Sequence, residues 1–323
     1  MNTAAPIATP AEIETAYQLV LGRNADQQGL EYFSALARSQ SLTPHEIAKF
    51  LIGSEEFKAR IGGSHEPTEI ALDGYSLFVR PSDRDIGSAI AKGVSYEPHV
   101  TALLRRELAR GDTFLDVGAN IGHFTMLAAH LVGPSGKVIA IEPMDKNLQL
   151  LYLAIEKNGF GNIEVFPFGA SDRSSLVAII TDPNTSNALV QSAKSQRRPS
   201  LFAPTRTLDW MCAGLGRLDF VKMDIEGHEM FAWRGAKDLF ARFKPKIATE
   251  FHPLAMRENA AIDCRDYVDL MFTYCRQIQV IVSPDKLIAC SSYEEVMEQW
   301  EQSDKRHGGK GSSHLDLYLA PGA

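Results

Sequence analysis

The chain has 323 residues, 45% hydrophobic and 23% charged, an ordinary globular composition. Its formal net charge of −7 gives a nucleic-acid role no electrostatic support, and no apolar run reaches the roughly 18 residues that would span a membrane. The N-terminal segment MNTAAPIATPAEIE lacks the basic and apolar regions of a secretory leader. Four scattered cysteines (Cys212, Cys264, Cys275, Cys290) fit neither a zinc site nor a disulfide framework, so a cytoplasmic protein with reduced thiols is expected.

Thr9 and Pro10 open a helix with Ile13, Ala16, Tyr17, Val20 and Leu21 on one face and Gly22 at its end. Asp26 caps a second helix burying Leu30, Phe33 and Ala37. Thr43-Pro44-His45-Glu46 is a capping box that starts a third, and Ser54-Glu55-Glu56-Phe57 begins a last short turn. Gly62-Gly63-Ser64 reads as a linker. Residues 1–65 are therefore predicted as an all-helical module, small for stability alone and expected to dock on residues 66–323.

Tyr75–Val79 has the texture of a strand, and Pro98 opens a helix closed by Arg110-Gly111. An alternation typical of a parallel sheet with crossover helices follows. Strands are predicted near 113–117, 137–142, 162–166, 218–223 and 246–251, and helices near 122–131, 145–158, 228–241 and 263–275. Gln277–Val282 and Leu315–Leu319 are late strands, the second preceded by a loop over 303–313. The fold class is α/β, with a Rossmann-like, mostly parallel sheet. Late strands joined by a hairpin are expected to add one antiparallel strand.

The chemistry starts at Phe114–Thr125, FLDVGANIGHFT, an apolar strand running into a glycine-bracketed loop and then a helix. Gly118 and Gly122 allow a tight turn and close approach to a ligand, and Asn120 tolerates positive φ. Twenty residues past Gly122, Glu142 ends the second strand, where an acid accepts from ribose hydroxyls. Two cofactors fit that spacing. A dinucleotide wants G-x-G-x-x-G and a helix N-terminus for its pyrophosphate. Here the loop is Gly118-Ala119-Asn120-Ile121-Gly122 and Asp116 precedes it, ill placed beside a pyrophosphate but well placed beside an ammonium. S-adenosylmethionine, with a ribose, an amino-acid tail and no phosphate, is the better match. Ala119 and Asn120 would then meet its methionine half through the backbone. After the third strand, the Ser171 backbone and Asp172 stand where adenine would lie, Asp172 being equally suited to capping a turn.

Asp116–Gly122, Ile141-Glu142-Pro143 and Val221-Lys222-Met223-Asp224-Ile225-Glu226-Gly227-His228-Glu229, in that order and spacing, resemble the FkbM family of S-adenosylmethionine-dependent O-methyltransferases. Pro245–His252 and Tyr96-Glu97-Pro98 extend the resemblance over about residues 69 to 320. It implies a class I methyltransferase sheet and a glycosyl hydroxyl, in a glycan or glycolipid precursor, as acceptor. A small secondary metabolite is the alternative acceptor, and a non-catalytic donor- or glycan-binding subunit the alternative role. Tyr17–Arg23, Asp26-x-x-Gly29 and Ser54–Phe57 resemble a bacterial helical domain of unknown function found in extracellular and glycan-linked proteins. That module is a candidate surface for homo-oligomerisation or for gripping a glycan.

A sugar hydroxyl is a poor nucleophile, so a base or a metal ion should stand near it. Asp224 at the end of the fourth strand, Glu250 and His252 on one face of the fifth, and His228 at the next helix are expected to converge. His228 or His252 would act as base, or the carboxylates would hold a divalent cation such as Mg²⁺ or Mn²⁺. Lys222, sharing Asp224's face, reads as a structural ion-pair partner, and Glu229 as a helix cap. Asn184–Asn187, Gln196–Pro199 and the basic stretch Asp304–Gly311 are candidate covering loops.

Overall fold

The structure, a computed structural model, describes residues 7–57, 67–181, 186–190 and 201–321. The predicted linker Gly62–Ser64, with Asn184, Thr185 and Gln196–Pro199 of the predicted covering loops, lies outside them. The chain opens with helices α1 (Pro10–Leu21), α2 (Gln27–Gln40) and α3 (Pro44–Ile52). Thr9 with Glu12 and Thr43 with Glu46 form reciprocal capping boxes, and Asp26 accepts from the Gly29 N–H. Arg23 donates to both carboxylate oxygens of Glu56 at 2.6 and 2.7 Å, tying the end of α1 to the close of the module. The Arg23 and Glu56 of the recognised helical pattern are thus its internal clasp.

An antiparallel pair follows, β1 (Thr68–Ala71) and β2 (Ser76–Val79), then α4 (Gly87–Ala91) and α5 (Pro98–Glu107). The alternating unit comprises β3 (Thr113–Val117), α6 (His123–Val132), β4 (Lys137–Ile141), α7 (Asp145–Asn158) and β5 (Ile163–Phe166). An insert carries β6 (Gly169–Ala170), β7 (Ser175–Thr181), β8 (Ala188–Val190) and β9 (Leu201–Arg206). Next come α8 (Leu208–Met211), β10 (Phe220–Met223), α9 (Glu229–Arg234), α10 (Lys237–Phe243) and β11 (Lys246–Phe251). Short helical and π turns cover Pro253–Ala255 and Met256–Ala260. The chain closes with α11 (Cys264–Tyr274), β12 (Ile278–Ser283), β13 (Lys286–Cys290), α12 (Tyr293–Arg306) and β14 (Leu315–Leu319).

Eight strands form the main sheet in the order β13-β12-β14-β11-β10-β3-β4-β5. All five residues of β3 are buried, as expected of a parallel strand covered on both faces. The pairs from β11 through β10, β3 and β4 to β5 are parallel, while β14 runs antiparallel between β11 and β12. One reversed strand was expected and two are present, because the hairpin β12–β13 adds a second at the edge. Two further predicted elements differ. The helix over 228–241 is two helices broken at Gly235-Ala236, and the loop over 303–313 begins only after α12 has run to Arg306.

The helical module is not a separate globule. α1 and α3 pack on α7, and Ile13, Leu21, Ile47 and Phe57 belong to one hydrophobic cluster with Leu104, Leu127 and Leu151. The expected docking is therefore through a shared core. The insert, expected as loop, folds into a four-stranded sheet in the order β6-β9-β7-β8, with Ile179 and Ala203 packed on Met144 just after β4.

Gly118 and Gly122 are required by the protein itself. Both have left-handed φ, 87° and 93°. A Cβ on Gly118 would lie 1.9 Å from the carbonyl oxygen of Asp224, and one on Gly122 would lie 2.6 Å from Leu151 Cδ1 of α7. These are contacts between chain segments; of the two glycines, Gly118 also lines the cavity described below. Gly118→Ala should therefore lower the unfolding free energy in urea by more than about 1 kcal/mol, from φ strain and backbone overlap together. Wild-type stability in that variant would contradict this packing.

Candidate active site

β3 leads to β4 and β5 on one side and to β10 and β11 on the other, so the crevice between β3 and β10 is a topological switch point, where open α/β sheets bind ligands. A cavity of ≈ 310 Å³ opens there, walled by the residues that follow β3, β4, β10 and β11. The small sheet roofs it. Asn120 Nδ2 donates to Asn187 Oδ1 at 3.2 Å, and Asn147 Nδ2 donates to the Ser186 carbonyl at 2.9 Å.

On the β3–β4 side, Gly118, Ala119, Asn120 and Glu142 line the cavity, joined by Phe168, Gly169, Ala170 and Ser171. Asp116, Gly122 and Asp172, predicted as ligand contacts, are not on its wall. Asp116 is fully buried and accepts from the Thr125 hydroxyl at 2.6 Å, at the start of α6. The ammonium beside it belongs to the chain, since Lys222 is its register partner in β10. Asp172 is half-buried and pairs with Arg173 at 3.7 Å.

The glycine loop has no amide hydrogen to spare. The N–H groups of Gly118 and Ala119 both donate to the Ile141 carbonyl, that of Gly122 to the Ala119 carbonyl, that of Asn120 to Glu142 Oε2, and that of Ile121 to Asn120 Oδ1. A pyrophosphate needs such donors together with the helix N-terminus. Here they are spent, and Asp116 already sits at that terminus. Glu142 also accepts from the Met144 N–H and from Asn147. Its Oε2 has a single partner, so lone-pair capacity remains for a hydroxyl donor. Burial pushes its pKa up to about 7.

On the β10–β11 side the cavity wall is acidic. Asp224, Glu226, Glu250, Glu97 and Asp316 line it, with His228, His252 and His314. Lys222, 5% exposed, is the one buried lysine among the described residues. Its Nζ lies 3.0 Å from Asp224 Oδ2 and 4.6 Å from the centroid of the Phe124 ring. Burial opposes its charge, but Asp224, Glu97 and Asp116 together hold the ammonium above its ordinary pKa. The expected ion pair is present. The carboxylates shift upward as well, which for an acid favours the neutral form. Burial, then neighbouring acids, pushes Glu226 up to about 8 and Glu250 well above the usual range; Glu97 rises to about 7, burial again the main cause.

The four predicted catalytic residues, Asp224, His228, Glu250 and His252, do meet at this cavity. Their roles divide, however. His252 Nδ1 accepts the Ala255 N–H at 3.2 Å, so the neutral ring carries its proton on Nε2 and faces the cavity as a donor. That geometry argues against His252 as the base. Burial lowers His228 to about 4, leaving it neutral, and its Nδ1 has no partner among the described residues. Glu229, expected as a helix cap, instead closes the turn ahead of α9, its Oε1 accepting from the Ile225 and Gly227 N–H groups at 2.8 and 3.2 Å.

Sequence reasoning missed Glu97, His314 and Asp316 as wall residues. Glu97, at the start of α5, has left-handed φ of 40°, and Asp316 is the register partner of Glu250 and pairs with His99. A reversed strand presents its first residues at the end where parallel strands present their last. Asp316 could have been found from the sequence once β14 was placed beside β11.

Stability should report the buried carboxylates. An unfolded glutamate loses its proton near 4.5, whereas Glu142 keeps its own to about 7. The folded state binds the extra proton between those values, so this contribution falls as pH rises through them. His228 and His123, both lowered to about 4, contribute the opposite slope below 6.5. The Glu142 effect is therefore read as a difference from Glu142→Gln. In urea unfolding of the ligand-free protein, that variant should gain stability on the wild type between pH 5 and 7.5, and parallel curves would contradict the burial.

Residues 116–280 match the methyltransferase FkbM domain, and residues 9–61 match a domain of unknown function, DUF4214. The chain is 34% identical over 70 residues to protein-L-isoaspartate O-methyltransferase 2 of Archaeoglobus fulgidus, covering 21% of this chain and 32% of that protein. It is 25% identical over 141 residues to protein-L-isoaspartate O-methyltransferase of Methanococcus aeolicus, covering 40% and 62%. These matches span less than two thirds of the relatives' own lengths. A solved structure of methyltransferase FkbM from Methylobacillus flagellatus is similar over 85% of this chain and 57% of its own, at 19% identity and a TM-score of 0.40. The FkbM match takes in just over half of the 323 residues and both the β3–β4 and β10–β11 sides of the cavity, and the chain belongs to the FkbM methyltransferase family.

Proposed function

We propose that the chain transfers the methyl group of S-adenosylmethionine to a hydroxyl of a sugar, in a glycan or glycolipid precursor. The observation that carries the donor half is the loop after β3, whose amide hydrogens are all consumed internally while Glu142 keeps accepting capacity beside it. Such a pocket accepts a ribose and rejects a pyrophosphate. When bound, the donor supplies a sulfonium-activated methyl carbon. Glu142 would hold the ribose hydroxyls, the carbonyl oxygens of the glycine loop would face the methionine ammonium, and Phe168 and Met144 would enclose the adenine.

The acceptor half is supported by charge. Asp224, Glu226, Glu250, Glu97 and Asp316 crowd one wall, and the buried Lys222 is already paired. An anionic acceptor such as a phosphate ester or nucleic acid would meet no free cation at that wall and would add to the crowding of its acids, whereas a neutral polyol can hydrogen-bond to those acids in either protonation state. The position of His228 suits it to receive a proton from the acceptor, and the Nε2–H of His252 suits it to hold an acceptor oxygen. The basic stretch expected to cover the site is partly fixed by Asp304, whose carboxylate accepts from the Gly311 and Ser313 N–H groups.

Two measurements test this. Glu142→Ala should weaken S-adenosylhomocysteine binding by calorimetry about tenfold or more, as expected for loss of about 1.4 kcal/mol or more of charge-assisted hydrogen bonding. Incubation with labelled methyl donor should mark neutral oligosaccharides or glycolipids, and Asp224→Asn should reduce that labelling at least a hundredfold with donor binding kept, of the order expected for a group acting in the transition state. Label appearing only in a metabolite panel would replace the sugar by another hydroxyl acceptor. Tight donor binding with no transfer to any acceptor would make the chain a binding subunit.

A further inference from the structure

We propose that Asp224 and Glu250 on the acceptor wall of the cavity, with Glu229 fully buried beside them, bind a hard divalent cation. One oxygen from each of the three carboxylates lies within 4.8 Å of the others. An octahedral ion with bonds of about 2.1 Å places opposite ligand oxygens about 4.2 Å apart, and a larger ion with bonds of about 2.4 Å places them about 4.8 Å apart. Neighbouring ligands of such ions stand closer, about 3.0 to 3.4 Å apart, so small side-chain shifts would bring the three groups onto a common ion.

A second observation points to a ligand. Glu229 Oε2 and Glu250 Oε2 have no hydrogen-bond partner among the described residues, although Glu229 is fully buried and Glu250 is 9% exposed. Buried carboxylate oxygens without partners are costly to leave so. The free oxygen of Glu229 is held in orientation, because its Oε1 is fixed by the Ile225 and Gly227 N–H groups. Glu250 Oε1 faces His314 Nδ1 at 3.5 Å, and Asp224 gives Oδ2 to Lys222. Of the three carboxylates only Asp224 is bonded to an ammonium, that of Lys222. A dication would supply the missing charge, with an all-oxygen ligand set that suits hard ions better than zinc. Glu229 then both closes its turn and serves as a ligand, the two uses falling on different oxygens. On the methyltransferase reading, which this point alone requires, the ion's open positions would take neighbouring hydroxyls of the acceptor, favouring a vicinal diol.

The test measures binding, not turnover. The full-length protein is titrated with Mn²⁺ near pH 7.5 by electron paramagnetic resonance and calorimetry, beside Glu229→Gln, Glu250→Gln and the exposed control Glu298→Gln. S-adenosylhomocysteine binding is measured on the same samples. One Mn²⁺ per chain is expected, weakened at least tenfold in both site variants and unchanged in the control, with homocysteine-adduct binding retained throughout. Glutamine keeps an oxygen for the Ile225 and Gly227 N–H groups. Should Glu229→Gln still fail a thermal-melt check for folding, Glu250→Gln decides. No stoichiometric Mn²⁺ site in the wild type, or equal binding in the site variants, overturns the proposal. If S-adenosylhomocysteine binds and Mn²⁺ does not, the ion site falls and the donor reading survives. Mn²⁺ binding without S-adenosylhomocysteine binding upholds the ion site and sinks the donor reading.

Discussion

Lys222 is the cation that lets several strands end in acids around one small volume. Its ammonium is nearly inaccessible, bonded to Asp224 and set over the Phe124 ring. Asp116 lies beside it in register on β3. A lone ammonium buried at this depth would be expelled or neutralised, and the carboxylates without it would repel one another. Breaking such a buried pair by removing one partner is typically worth about 3–5 kcal/mol. The cleft's acidity and its compactness therefore have a common origin in one residue of β10, and the donor-side loop stays free of charge because Asp116 faces inward toward that residue.

The two halves of the cavity differ in how they are built. The donor half is made of backbone. Tight turns at Gly118 and Asn120 satisfy every loop N–H internally, and Glu142 is gripped by three donors. The acceptor half is made of side chains from four separate segments: the start of α5, the ends of β10 and β11, and the start of β14. That contrast suits a common methyl donor facing acceptors that vary, since side chains at strand ends can change without disturbing a sheet.

The sheet was legible because each parallel strand is a continuous apolar run closed by a polar residue. Phe114–Val117, Val138–Ile141 and Ile247–Phe251 announce themselves by composition. The donor motif was legible by spacing, and so was the convergence of Asp224 with Glu250, because β10 and β11 are neighbours. Side-chain direction was not. Asp116 carries the right charge at the right place in the motif, yet faces the core. The glycines are conformationally necessary, as read, but for contacts with Asp224 and Leu151 that lie far off in sequence. His252 reads as a base until the Ala255 N–H is seen to occupy Nδ1. Asp316 and His314 were missed because their place at the wall depends on which strand pairs with β11, and the late strands expected to supply an antiparallel partner carry no local mark of that neighbour. The β7–β9 insert was hidden as well, its strands being short and interrupted by polar turns.

The seating of α1 and α3 on α7 has a mechanical consequence. α7 begins just past Glu142, carries Asn147 against that carboxylate and against the roof at Ser186, and sets Leu151 under Gly122. The N-terminal helices thus brace the same rod that props the nucleoside floor and latches its ceiling. Loss of that outer bundle would bare the apolar back of α7 and loosen the helix from which floor and roof both hang.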